Sequence, residues 1–267
     1  MIGEVLRRAL GDRVRTLAAW CVGAAAYLAM IVAVYPSIRN ASGISDLAKH
    51  YPDVLKELFG MGAGINLASA AGYLDTELFS LMLPLFLLAM AIGTGAGTLA
   101  GEHEAGLLEL VVAAPLKRGS VVVAKAVGLT VELAALAAAM IVTLLIAGPL
   151  ADMSLDRPRM AAAVLAAALL ALMHGALALA VGAATRHRAS AIGVPAALAA
   201  VGYLVAGLAG LADWLSPFRY LSPFHYAGRA PLESGVDASG LIVLAIVTVV
   251  LVGAAATLFQ RRDMASA

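Results

Sequence analysis

Six long apolar stretches alternate with short polar ones along this chain of 267 residues. Runs of about 20 mostly apolar residues, with no face reserved for water, read as membrane-spanning helices. They fall at roughly 17–38, 78–100, 120–148, 160–184, 190–212 and 239–259. The third is long enough to tilt or to begin at the membrane interface. Six spans put both chain ends on one side of the membrane. Basic residues then orient the array, because Lys and Arg gather on the cytoplasmic side. With the ends inside, the inner segments hold eleven: Arg7, Arg8, Arg13, Arg15, Lys117, Arg118, Lys125, Arg186, Arg188, Arg261 and Arg262. The outer segments hold seven: Arg39, Lys49, Lys56, Arg157, Arg159, Arg219 and Arg229. Both termini are therefore expected in the cytoplasm.

The polar segments are short. Residues 1–16 predict a basic amphipathic helix, with Val5, Leu6, Ala9 and Leu10 on one side, lying in the interface near lipid headgroups. Residues 39–77 form the largest outer loop, with helix expected on each side of Pro52 and an irregular or re-entrant course for MGAGINLASAAG. The 101–118 segment is inner, and 213–238 is an outer, proline- and aromatic-rich segment whose rings suit the interface. No extramembrane piece is large enough for a globular catalytic domain, so residues 1–267 read as one transmembrane domain.

Composition supports this class. Hydrophobic residues make up 62% and charged residues 13%, against about 25% charged in a soluble domain. The excess lies in Ala, Leu, Val and Gly, which points to helices packed through small side chains. GTGAG at 93–97, GYLVAGLAG at 202–210 and VGAAAT at 252–257 are the expected sites of close approach. Pro84 and Pro195 can kink the second and fifth spans. A net charge of +1 gives no nucleic-acid footprint, and the single cysteine, Cys21, allows no intrachain disulfide and reads as a core residue.

Several chemistries lack their motifs. There is no G-x-x-x-x-G-K-[ST] for ATP, no G-x-G-x-x-G and no C-x-x-C. His103 in GEHEAG has no second histidine four residues on, so no zinc-binding H-E-x-x-H exists. Neither a catalytic residue nor a metal site is expected. Glu132 in the third span and His174 in the fourth are ionisable groups at membrane depth, where each must face protein, water or a partner. They read either as cavity-lining or helix-packing polar residues, or as parts of a secondary transporter or channel that needs no ATPase.

The most charged interruption is GEHEAGLLELVVAAPLKRGSVVVAK, residues 101–125. HEAGLLELVVAA can form a short helix with Leu107, Leu108, Leu110 and Val111 on its apolar side. Pro115 limits that helix, and Lys117 and Arg118 mark the interface before the third span. On these residues alone, an interfacial loop helix and a docking helix for a cytoplasmic partner both remain open.

The stretch resembles the segment between the second and third membrane helices of ABC-2 type transporter permeases. Glu102, Glu104, Gly106, Leu107, Leu110, Pro115, Arg118 and Lys125 carry the likeness. Leu107 stands where a small Thr or Ser is common. The ending FQRRDM and the outer YPDVLKELFG and GYLDTELFSLMLPL extend it over nearly the whole chain. The resemblance implies an all-α polytopic membrane protein with the six-helix transmembrane domain of a type V-like exporter, in the bacterial inner membrane. It implies no cofactor in this chain. ATP and Mg would be bound by two copies of a separate cytoplasmic ATP-binding subunit, and a second permease copy or a sibling permease would complete the complex among membrane lipids. The coupling role would fall on Glu102, Glu104, Gly106, Leu107, Leu108 and Glu109. Pro115, Lys117, Arg118 and Lys125 would serve as interface anchors, and the N-terminal helix would add a contact around Arg7, Arg8 and Arg13. The implied activity is export of a hydrophobic or amphipathic small molecule or lipid.

Overall fold

The apolar stretches are helices. A computed structural model describes residues 2–40, 51–58, 66–106 and 118–261, by backbone alone at 2–12, 53, 118 and 261. Among these residues six helices are long and apolar enough to cross a membrane: Arg13–Asn40, Ala70–Glu104, Gly119–Leu150, Arg157–Thr185, Arg188–Leu208 and Ala238–Gln260. The first belongs to α1 (Ile2–Asn40), a single uninterrupted helix. The basic N-terminal stretch and the first span are therefore continuous, with no break near residue 16. No proline stands between them, since Pro36, near the far end of α1, is the helix's only one.

The second span starts earlier than its hydropathy suggests. It begins at Ala70, because Ser69 caps the helix by accepting the Gly72 N–H at 3.0 Å. Part of the glycine-rich stretch is thus helical, while residues 61–65 lie outside the described residues. Asp75 and Glu77 fall within the 39–77 segment expected as loop, yet both lie in a helical turn. The span runs through α3 (Ala70–Leu74), a π-helical turn at Asp75–Phe79, α4 (Met82–Ala96), a second π turn at Gly97–Gly101 and α5 (Glu102–Glu104). The break at Ser80 and Leu81 lies just before Pro84, as expected of a proline in a first helical turn. Outside the spans, α2 (Asp53–Leu58) follows Pro52.

The remaining spans are α6 (Arg118–Leu150), α7 (Arg157–Thr185), α8 (Arg188–Leu208) and α10 (Ala238–Arg261), with the short α9 (Pro223–Ala227) before the last. Pro195 lies within α8, which continues through it. α7 is the hub, packed against the second span, α6, α8 and α10. Its first turn is set by Asp156, whose side chain accepts the Arg159 N–H at 3.3 Å. Its last residue is followed by Arg186 in the left-handed region, φ 61°.

Small residues set the tightest crossing. A Cβ on Gly95 would collide with the Gly175 carbonyl oxygen, and one on Gly175 would meet the Leu129 side chain and the Ala91 carbonyl. The second span and α7 therefore touch backbone to backbone, the contact that glycine permits. The expectation for GTGAG narrows to its middle residue, since a Cβ on Gly93 or Gly97 meets nothing within 4 Å. Within GYLVAGLAG the close approach is Gly207 against Leu58, and Gly253 has open space around it. Cys21 is half-buried at the core's edge.

Opposite the termini, polar contacts knit the loops to the bundle. Asp75 is fully buried and accepts N–H bonds from Leu232 at 3.0 and 3.2 Å and from Glu233 at 3.0 Å. The Arg229 guanidinium pairs with Glu57 at 3.1 Å, and the Tyr203 hydroxyl donates to the Leu58 carbonyl at 2.6 Å. Trp214, Phe218 and Tyr220 are exposed, as interface rings should be, while Phe224 is buried. Replacing Asp75 with Asn halves its acceptor capacity and removes its charge. The expected loss is about 1.5–3 kcal/mol, the range for hydrogen bonds to charged groups. Faster proteolysis of the 228–235 turn in purified protein would report it.

Candidate coupling site

Three spans bring four charged side chains together near the end that carries both termini. Lys125 and Glu132 lie seven residues apart on α6, hence on one face. Glu102 comes from the last turn of the second span, directly after the π turn that re-phases the helix. Arg13 reaches in from α1. Lys125 Nζ donates to Glu102 Oε1 at 2.5 Å. Arg13 Nη2 stands 3.7 Å from the same oxygen, and Arg13 Nη1 stands 3.8 Å from Glu132 Oε1. Thr94 Oγ1 donates to Glu132 Oε2 at 3.3 Å.

Two carboxylates and two cations balance formally. Glu102, Lys125 and Glu132 side chains are 18–19% exposed, whereas Arg13 is 46% exposed. In such partly dry surroundings a charge needs its partner, because desolvation is costly and water replaces a lost partner poorly. Among the described residues Glu102 Oε2 is buried without a hydrogen-bond partner, so Glu102 rests on its other oxygen, the one shared by Lys125 and Arg13. The arrangement ties spans 1, 2 and 3 through one carboxylate.

Two further residues of the polar stretch have local roles. Glu104 Oε1 accepts the Arg188 N–H at 2.8 Å, so the second span ends by capping the first turn of α8. Gly106 has φ +68°, a left-handed conformation that suits glycine and follows the last helical residues. Replacing Glu104 with Ala leaves that N–H to water, with an expected loss of about 1 kcal/mol. A thermal midpoint lower by a few degrees would show it. Leu107, Leu108, Glu109, Pro115 and Lys117 lie outside the described residues, as do the Arg118 side chain, residues 262–267 and the side chains of Arg7 and Arg8.

Glu132 and His174 do not form one polar path among the described residues. Glu132 belongs to the charge cluster. His174 is buried, its Nδ1 stands 2.9 Å from the Leu170 carbonyl of its own helix, and its ring lies 6.2 Å from Phe224. Among the described residues no group of three or more His, Cys, Asp or Glu could hold a metal ion.

Arg13 is the member that charge counting overlooked: as one arginine of a basic stretch, it showed no sign of bridging Glu102 and Glu132. Asp75 was also missed, although an acid opening an apolar run was the available signal.

A family model described as ABC-2 family transporter protein matches residues 4–264. The chain belongs to this family. A search among curated proteins found no match. As an ABC-2 family member, the chain is a multi-pass, all-α membrane protein with the six-helix transmembrane domain expected from its sequence. Membership implies association with a separate ATP-binding cassette subunit. It also gives the charge cluster a context, since Glu102 opens the segment that the family resemblance singles out for coupling.

Proposed function

We propose that this chain is the permease subunit of an ATP-driven exporter in a bacterial inner membrane, with both termini cytoplasmic. Two ATP-binding subunits supply the nucleotide chemistry with ATP and Mg, and a second copy or a sibling permease completes the complex. The cargo is a hydrophobic or amphipathic small molecule or lipid. The observation that carries the reading is the position of Glu102. It begins the candidate coupling segment and is held by Lys125 of the third span and Arg13 of the first. A push on that segment therefore reaches three spans at once.

The energetic logic is linkage between two states. ATP closes the partner dimer and favours one arrangement of the coupling segments, and the spans follow only if the two arrangements differ in their contacts. Leu107 and Leu108 would provide the buried centre of the contact, and Glu104 and Glu109 would set register. Glu132 and His174, the basis of an ATPase-independent reading, are both engaged inside the bundle. Co-expression with candidate ATP-binding subunits tests the proposal. Co-purification and stimulated ATP hydrolysis are expected, with both lost in Leu108→Asp while the permease still reaches the membrane. Proton-driven uptake in vesicles lacking any ATPase would overturn it.

A further inference from the structure

A second polar feature lies in the half of the bundle away from the termini, and the charge cluster does not use it. The π turn at Asp75–Phe79 buries Asp75, Thr76, Leu78 and Phe79 but leaves Glu77 facing outward. Beside it opens a cleft of about 290 Å3, lined among others by Tyr27, Tyr51, Thr76, Glu77, Ser80 and Met82. That volume is near the lower end of the roughly 300–1,000 Å3 typical of small-molecule sites. Thr76 is 3% exposed, lines this cleft, and its Oγ1 has no hydrogen-bond partner among the described residues. A buried hydroxyl without a partner is uncommon and calls for a reason. Among the described residues no Lys or Arg pairs with Glu77.

We infer that this cleft binds an organic ammonium ion carrying an apolar body. Glu77, exposed at the cleft's edge, supplies the counter-charge. The Tyr27 and Tyr51 rings offer π faces that attract a cation, and quaternary ammonium groups are recognised this way. Met82 offers a polarisable surface that adapts to an alkyl or aromatic tail. Thr76 and Ser80 provide hydroxyls for a polar substituent. An anionic ligand would meet the carboxylate with no compensating positive charge on the cleft's described walls. The step from bound ligand to exported cargo rests on the transporter reading above, whereas the binding site itself does not.

The test uses the full-length permease alone in lipid nanodiscs, without an ATP-binding subunit. The probe is radiolabelled benzyltrimethylammonium, compared with its uncharged carbon isostere. Saturable binding is expected, weaker by at least about ten-fold for the isostere and for Glu77→Gln. Tyr27→Phe should keep the affinity and Tyr27→Leu should reduce it, since only the second removes the π face. Gel filtration and thermal unfolding establish that each variant is folded. Discs of phosphatidylglycerol alone, set against discs with added phosphatidylcholine, separate two sources of the ammonium group. Competition by phosphatidylcholine assigns the site to a lipid headgroup, and equal affinity in both assigns it to a mobile cation; each supports the site. Equal binding of probe and isostere, no saturable binding, or folded Glu77→Gln protein binding as wild type would overturn it. Because no ATPase is present, that failure leaves the coupling proposal standing, and a failure of coupling leaves this result standing.

Discussion

Gly95→Leu is expected to yield no folded permease. The side chain would enter the crossing of the second span with α7, where even a Cβ meets the Gly175 carbonyl oxygen. Backbone cannot step aside as a flexible side chain can, and overpacking a tight core typically costs about 1–3 kcal/mol, occasionally more. The crossing also joins the two spans that bury the largest share of their surfaces. Even Gly95→Ala should lower the thermal midpoint. Gly93→Ala, two residues away with nothing within 4 Å of the added carbon, should be neutral or slightly stabilising, because Ala favours helix over Gly by about 1 kcal/mol. Fluorescence-detected gel filtration of detergent-solubilised protein, with heating, separates the three variants. Equal midpoints for the two alanine variants would contradict this packing.

Glu102→Gln is expected to break transmission while leaving the bundle assembled. The change keeps volume but removes the anion held by Lys125 and placed near Arg13. Removing one partner of a buried pair typically costs about 3–5 kcal/mol. Here the value should fall below that range, since Arg13 is nearly half exposed and retains Glu132. That is enough to loosen the end of the second span from α6. With the ATP-binding subunit present, co-purification should persist and stimulated hydrolysis should fall by at least about ten-fold, which corresponds to about 1.4 kcal/mol of lost coupling. Glu104→Ala, which weakens only the cap on α8, should reduce stability with a smaller effect on stimulation.

The fold was legible because each span is a run of apolar residues long enough to cross a bilayer, which hydropathy detects without tertiary information. Boundaries were legible only where charge and hydropathy changed together. At the second span they did not: Asp75 and Glu77 are acids inside a helix, and Asp75 is tolerated because the Leu232 and Glu233 N–H groups, more than 150 residues away, bind it. No local pattern carries that contact. Similarly, GTGAG signals close packing, but only Gly95 faces α7. Which glycine does so depends on helix phase, and the π turns alter that phase.

The candidate coupling site was half visible. Glu102 and Lys125 stood out as charges in an apolar chain, and Glu132 as an acid at depth, yet they read as three separate features. The spacing of Lys125 and Glu132 indicates one helix face but not what that face meets. Their joining through Arg13 depends on α1 lying against α6. The continuity of α1 through residue 16 is what brings Arg13 to that place.

The most direct test of coupling through Glu102 is a charge swap read by stimulated ATP hydrolysis in proteoliposomes containing permease and ATP-binding subunit. Glu102→Lys and Lys125→Glu alone should each abolish stimulation. The double variant should recover a substantial part of it, because the pair is restored with its polarity reversed and Arg13 can turn to the new carboxylate. Full stimulation in either single variant, or a double variant no better than the worse single, would contradict transmission through this pair.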